Sequence, residues 1–136
     1  MIYFEKVDVE VPGFKPELFV YGLSSLVKEE QRGLGPITVV FCSDNYLLEL
    51  NRRHLDHDYF TDIITFDYCE GELVSGDLFV SVDRVFENSK NERVEFLNEL
   101  ARVCVHGVLH LCGYGDKSEI EQVSMRQKEE YYLRLF

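Results

Sequence analysis

The chain has 136 residues and a mass of 15.9 kDa, enough for one ordinary domain and too little for two. Apolar residues make up 46% and charged residues 29% of the sequence, which is typical of a globular protein and excludes disordered and fibrous classes. Because 25 acidic residues outnumber 14 basic ones and the net charge is −11, we expect no long-range capture of nucleic acid by bulk charge.

We expect neither an export signal nor a membrane span in this sequence. Its first residues lack the basic start and the long apolar run of a signal peptide. The uncharged stretch at 103–115 is shorter than the roughly 20 residues that span a bilayer. We therefore expect a cytoplasmic protein without a membrane partner. Four cysteines in apolar surroundings, without C-x-x-C spacing, indicate buried free thiols: Cys42, Cys69, Cys104 and Cys112.

The first half of the chain alternates strand and helix patterns. Pro16 suits the first turn of a helix, Ser43 is a helix-capping residue, and a β-branched apolar run is typical of a buried strand. The pattern predicts, in order, a strand at 2–10, a helix from Pro16 to Gln31, a turn at Gly35-Pro36, a strand at 37–42 and a short helix from Asp44 to about His54.

The second half predicts two more strands and two helices. They are strand cores at 63–66 and 77–81, a long apolar helix within 91–112, and a last helix with the capping box Ser118-Glu119-Ile120-Glu121. Strands separated by helices predict an α+β fold, a small mixed sheet of about four strands with helices packed on it. We expect one domain over 1–136, with the apolar helix at its centre.

The central helix carries a pair of histidines. His106 and His110 are four residues apart, so their imidazoles project from one helix face and can chelate one zinc ion. Gly113 ends the helix, and a turn after it can bring the carboxylate of Asp116 to the same place. Two nitrogens, one oxygen and an open fourth position are typical of a catalytic zinc site. Such histidines are often ordinary core residues, but two unpaired imidazoles on an apolar helix are costly to bury.

The residue after the first histidine argues against a zinc peptidase. Peptidases with the His-Glu-x-x-His motif use that glutamate as the general base, and Gly107 stands in its place here. A glycine on this helix instead lets another chain segment approach closely.

The run from His106 to Tyr114 closely resembles the motif His-Gly-x-Leu-His-Leu-x-Gly-Tyr of the YbeY endoribonucleases, metal-dependent RNases of bacterial ribosomal RNA maturation. The resemblance implies a zincin-like fold and covers about residues 37–116. Its other matching segments are Leu50-Asn51, Asp58, Thr61-Asp62-Ile63-Ile64-Thr65-Phe66, Gly76-Asp77-Leu78-Phe79-Val80-Ser81 and Glu99.

Two positions depart from the family pattern. Where the family usually has Tyr-Asp-His with the histidine as third ligand, Gly115 and Asp116 occupy the last two places. Aspartate remains a zinc ligand, but it adds a negative charge. The family's arginine falls on Leu55, so Arg52 or Arg53 is the candidate that offers a guanidinium to a phosphate. The alternative is that both arginines serve only the helix dipole.

The resemblance implies a substrate cleft beside the metal, for which the candidates are His57, Thr61, Asp62, Gly107 and Tyr114. Each has an ordinary alternative. His57 fits a surface loop, Thr61 and Asp62 fit a turn and a strand entry, and Tyr114 fits packing beneath the last helix as well as stacking on a base. Asp62 is also a candidate catalytic residue, because a carboxylate there can hydrogen-bond a ligand histidine.

The function that the resemblance implies is zinc-dependent cleavage of single-stranded RNA, in 16S rRNA maturation and in ribosome biogenesis and quality control. One zinc ion per chain would activate a water and polarise a phosphoryl oxygen. The expected partners are ribosomal RNA, the small ribosomal subunit and its assembly factors, and not DNA. Two alternatives stay open: a metal-stabilised assembly factor that binds RNA or ribosomal proteins without cutting, and a hydrolase of small molecules or peptides.

Overall fold

The computed structural model describes residues 1–136. Four strands and five helices follow one another along the chain. They are β1 (Ile2–Lys6), α1 (Pro16–Glu29), β2 (Gly33–Cys42), α2 (Asp44–Leu55), β3 (Ile63–Asp67), β4 (Leu73–Ser81), α3 (Val82–Glu92), α4 (Phe96–Leu111) and α5 (Glu119–Leu133).

The four strands form one mixed sheet in the order β1-β2-β4-β3. The pairs β1–β2 and β2–β4 are parallel, and β3 pairs with β4 in the antiparallel direction. Strand β3 therefore lies at one edge of the sheet. The predicted α+β class and the small four-stranded mixed sheet are confirmed.

Helix α4 occupies the centre of the molecule, as predicted. Ten of its 16 residues are buried, because apolar side chains cover most of its circumference. It packs on β3 and β4 and also contacts α1, α3 and α5. Helix α2 covers the opposite face of the sheet, where its Leu47 belongs to a small buried cluster with Ile64 of β3. Because alternate residues of a strand point to opposite faces, Ile64 faces α2 while Leu78 and Val80 belong to the core around α4. No helix has both the length and the hydropathy of a membrane span.

The long helix predicted within 91–112 is confirmed as α4, but Val94, which was counted with it, lies outside. The chain breaks between two helices at Arg93, whose φ is 58°, and α4 begins at Phe96. Helix α3 has no counterpart in the sequence prediction. Only Val82, Val85 and Ser89 of its 11 residues are buried, so its apolar pattern is too short to stand out. The available signal was Ser81, whose side chain accepts a hydrogen bond from the amide of the third helical residue.

Three strands also differ from the prediction at their ends, and β4 begins at Leu73, four residues before the predicted core at 77–81. Strand β1 stops at Lys6, four residues short of the predicted end, and β2 begins at Gly33. The Gly35-Pro36 pair, predicted as a turn, lies within β2. The register against β4 shifts between Leu34 and Ile37. A bulge at this point tolerates a proline, which cannot donate a ladder hydrogen bond.

Gly76 sits where two elements approach closely. A Cβ atom at this position would lie 2.4 Å from the carbonyl oxygen of Phe66 and 2.9 Å from a methyl group of Leu111. We expect Gly76→Ala to lower the free energy of unfolding by about 1–3 kcal/mol, because the backbone of β3 has to move. Urea unfolding followed by circular dichroism measures this, and unchanged stability would contradict the close contact.

The four cysteines are free, as predicted. Burial raises the pKa of the Cys42 and Cys104 thiols to about 12 and that of Cys112 to about 11. These thiols stay protonated at pH 8, and only the thiolate is nucleophilic. We expect a thiol reagent at pH 8 to modify at most the half-buried Cys69 rapidly in the native protein and all four cysteines after unfolding. Rapid modification of a second thiol in the native protein would contradict this burial.

Candidate metal centre

Three side chains converge at the end of helix α4. His106 Nε2 and His110 Nε2 are 3.0 Å apart, and Asp116 Oδ2 lies 3.3 Å from each of them. The two histidines share a helix face, whereas Asp116 reaches them through the turn that begins at Gly113, where φ is 104°. Helix α5 starts soon afterwards with the capping box of Ser118, so both ends of this turn are anchored in helices. The predicted convergence of the three residues is present.

The hydrogen bonds on the far side of each imidazole define its tautomer. His110 Nδ1 lies 2.8 Å from the carbonyl oxygen of Tyr114, which can only accept, so this nitrogen carries the proton. His106 Nδ1 lies 2.6 Å from a carboxylate oxygen of Glu129. In neutral rings with protonated Nδ1 atoms, both Nε2 lone pairs face the same point. Two lone pairs and a carboxylate oxygen at this separation require a cation, either a metal ion or a proton.

The spacing of the three atoms fits zinc. Ligands about 2.0–2.1 Å from a tetrahedral zinc ion lie about 3.3–3.4 Å from one another. The observed separations of 3.0, 3.3 and 3.3 Å are close to this value. His106, His110 and Asp116 are thus able to hold one metal ion. The two imidazoles and one carboxylate supply three donors and leave a fourth position free, which is the donor set of a catalytic zinc site.

A buried network of charges supports His106 and was not predicted from the sequence. Glu129, on α5, is 2% exposed, and its second carboxylate oxygen accepts a hydrogen bond from Arg102 at 2.8 Å. Arg102 also pairs with buried Glu99. Burial alone would lower the pKa of His106, but the hydrogen bond to Glu129 and the negative charges of Glu129, Asp116 and Asp62 outweigh it, and the net shift is upward. A metal ion binds the neutral imidazole, so the raised pKa makes protonation compete with metal binding at this histidine.

An open cleft runs along the edge strand β3 and ends at the three converging side chains. Its volume is about 540 Å³. Of the candidate cleft residues, His57, Thr61 and Asp62 line it. Burial raises the pKa of Asp62, although His106 and Arg102 oppose this shift. The full lining is Asn51, Leu55, His57, Tyr59, Thr61, Asp62, Ile63, Ile64, Thr65, Asp67, His106, His110 and Asp116.

Two of the candidate cleft residues lie elsewhere. Gly107 is buried against the sheet, and a Cβ atom there would lie 2.7 Å from Ile63 and 3.0 Å from Leu78. It therefore permits the close approach of helix and sheet rather than contact with a substrate. Tyr114 donates a hydrogen bond to Glu30 at 2.8 Å, and the ammonium group of Lys128 lies over its ring. Its side chain thus packs against α5, and only its carbonyl oxygen reaches the metal centre.

Neither candidate arginine lines the cleft. Arg52 pairs with Asp58 at 2.5 Å, and Arg53 pairs with Glu49 at 3.0 Å on the exposed side of α2. The helix directs both side chains toward these carboxylates, whereas Leu55 occupies the cleft wall.

We expect Arg53→Ala to change the rate of RNA cleavage by no more than about twofold, as for other exposed surface positions. The measurement is initial-rate cleavage of a labelled single-stranded RNA at equal metal content. A loss of about a hundredfold, typical of a lost donor to a developing negative charge, would place the guanidinium at the phosphate.

Comparison with known proteins identifies the family. The family model "Endoribonuclease YbeY" matches residues 17–136. The chain belongs to the YbeY endoribonuclease family. It is 47% identical over 118 residues to a YbeY endoribonuclease of Flavobacterium psychrophilum, covering 87% of this chain and 84% of that protein. It is 42% identical over 135 residues to one of Phocaeicola vulgatus, covering 99% and 98%.

A solved structure supports the fold. The solution structure of TM1509 from Thermotoga maritima superposes with a TM-score of 0.69 at 28% identity, covering 99% of this chain and 88% of that chain. The YbeY family is a family of RNA-cleaving hydrolases. The resemblance found in the His106–Tyr114 segment is thus confirmed. The hydrolase class inferred from that resemblance is confirmed as well.

Proposed function

We propose that residues 1–136 form one metal-dependent domain that cuts single-stranded RNA with the help of a zinc ion held by His106, His110 and Asp116. The observation that carries this proposal is the convergence of two Nε2 lone pairs and one carboxylate oxygen at the end of an open cleft. Family membership supports RNA as the substrate. The spacing of the donors supports zinc at one ion per chain.

The protein's own residues orient the site. A zinc ion bound here supplies Lewis acidity toward a phosphoryl oxygen and lowers the pKa of a coordinated water. Glu129 and the Tyr114 carbonyl oxygen hold the two histidine rings so that both Nε2 atoms point the same way. Asp62 lines the cleft, and its raised pKa makes it the candidate group for moving a proton.

We place this activity in 16S rRNA maturation and in ribosome biogenesis and quality control. The net charge of −11 is unfavourable for capturing RNA from solution. Delivery of the RNA on the small ribosomal subunit, together with its assembly factors, overcomes this repulsion. In this proposal the protein acts in the cytoplasm, and DNA is not a substrate.

The test combines metal analysis with a cleavage assay. Purified protein is expected to contain about one zinc ion per chain. It should cut a labelled single-stranded RNA, stop cutting after chelation, and resume when zinc is restored. A precursor of 16S rRNA within small-subunit particles is compared with the same RNA free in solution, and the particle-bound RNA is expected to be cut faster. Cleavage that survives complete metal removal would overturn the zinc-dependent mechanism, whereas equal rates would overturn the role of the subunit.

A second candidate function is a metal-stabilised assembly factor that binds RNA or ribosomal proteins without cutting. The observation that favours it is the lack of any Lys or Arg among the residues that line the cleft. This candidate predicts RNA or subunit binding without cleavage at full zinc occupancy. Cleavage at that occupancy decides against it.

A further inference from the structure

Two aromatic rings project from the loop between α2 and β3 at the wall of the cleft. The rings of His57 and Tyr59 are stacked, with centroids 5.2 Å apart and an interplanar angle of 23°. The Tyr59 hydroxyl lies 3.0 Å from His57 Nδ1, within hydrogen-bonding distance. Both residues line the same cleft as the metal centre, and Tyr59 is 55% exposed. An aromatic, solvent-facing surface thus lines the same cleft as the metal centre.

One buried residue of α2, Asn51, hydrogen-bonds the loop that carries these rings. Asn51 is 1% exposed, and its side-chain amide donates to the carbonyl oxygen of Tyr59 at 3.0 Å. Its own carbonyl oxygen accepts from the amide of His57 at 3.2 Å. The ion pair of Arg52 with Asp58 ties the loop to α2 from the other side. The two rings are therefore positioned before a ligand arrives, and binding loses less entropy than it would with a mobile loop.

The cleft lining has no lysine or arginine to bind the phosphates of an RNA. The lining includes the carboxylates of Asp62, Asp67 and Asp116 instead. Proteins that bind single strands usually combine cationic side chains with aromatic platforms on which bases stack. This cleft has aromatic side chains but no cationic lining. The protein is therefore expected to bind the RNA through the faces of its bases.

We propose that the stacked His57–Tyr59 pair is a nucleobase-binding subsite of the cleft. One base of a single-stranded RNA stacks on the exposed face of this pair, while the adjoining backbone extends toward His106 and His110. The inference rests on the proposed function for its ligand, because it names the part of the RNA that the cleft recognises. Stacking accepts every base, so the subsite positions the strand without selecting a sequence.

Kinetics with three variants test the subsite. Tyr59→Ala is expected to raise KM for a short single-stranded RNA by about tenfold or more, because the stacking surface is lost, and to change kcat little. Tyr59→Phe retains the ring and should keep KM close to that of the parent. The control is Tyr21→Ala, which removes a tyrosine that is 62% exposed on α1, outside the cleft. An unchanged KM in Tyr59→Ala, or an equal rise in Tyr59→Phe, would overturn the proposal.

A binding measurement separates this inference from the cleavage reaction. Adenosine, titrated into the metal-loaded protein, should shift the ring proton signals of His57 in NMR spectra in a saturable way. Ribose 5-phosphate, which has no base, should leave them unchanged, and Tyr59→Ala should lose the response to adenosine. If the parent does not cut RNA but responds to adenosine as described, the proposed function fails and the subsite stands. Equal shifts with ribose 5-phosphate, or none with adenosine, would overturn the subsite even if the protein cuts RNA.

Discussion

Alanine at any one of His106, His110 and Asp116 is expected to abolish stoichiometric zinc binding. Two remaining protein donors are too few for a stable catalytic site. Cleavage of single-stranded RNA should fall by at least about a hundredfold, because several kcal/mol of charge stabilisation are lost with the metal. Zinc content of the purified variants, measured by elemental analysis beside initial cleavage rates, checks both expectations.

Two further variants make this result specific to the three donors. Asp116→His should keep about one zinc ion per chain, because imidazole is also a zinc ligand and gives the donor set that the sequence resemblance implies for the family. Asp67→Asn removes a different carboxylate from the same cleft and should leave the zinc content unchanged. Full zinc retention in Asp116→Ala would show that another residue is the third ligand.

Glu129→Gln is expected to weaken zinc binding by about 10–100-fold, as losses of groups that orient a metal-bound histidine usually do. It should also lower the free energy of unfolding by about 1–3 kcal/mol, because the buried guanidinium of Arg102 loses the charge of Glu129 but keeps its pair with Glu99. Competition with a chromogenic chelator measures the zinc affinity. Urea unfolding of the metal-free protein measures the stability separately.

The matched control for this variant is the next residue along the chain. Glu130 is 63% exposed at its side chain and pairs only with Arg126 on the surface of α5. Glu130→Gln is therefore expected to change neither zinc affinity nor stability appreciably, as is usual for exposed ion pairs. If Glu129→Gln binds zinc as tightly as Glu130→Gln, the contact with His106 Nδ1 does not orient the ring.

The predictable parts of the fold are those marked by sequence patterns that span only a few residues. The histidine spacing, the helix stop at Gly113 and the box at Ser118 are local patterns, and the structure has each of them. The sheet strands were recognisable from β-branched apolar runs, because a buried strand needs such side chains along its length. The three metal donors were predictable for the same reason, because His106, His110 and Asp116 lie in one short segment around the helix stop.

Glu129 could not be predicted in the same way, because it reaches His106 across 23 residues of sequence. Its role depends on how α5 packs against α4, which is a property of the tertiary structure. One local signal existed. Met125, Glu129 and Tyr132 occur at helical spacing and are all buried, so a carboxylate stands on the apolar face of the last helix. A buried acid needs a partner, and such a position is a reason to search for one. No comparable sequence pattern predicted that the rings of His57 and Tyr59 stack on each other.

The contact between α5 and His106 has a thermodynamic consequence. Helix α5 supplies no metal donor, yet its Glu129 orients one of the histidines. Docking of α5 and zinc binding must therefore favour each other by the same coupling free energy, because linkage between two equilibria is reciprocal. If zinc binds at this site, it stabilises the docked position of the last helix, and a partner that displaces this helix weakens zinc binding. In this way the docking of the last helix would set the affinity of the site for its metal ion.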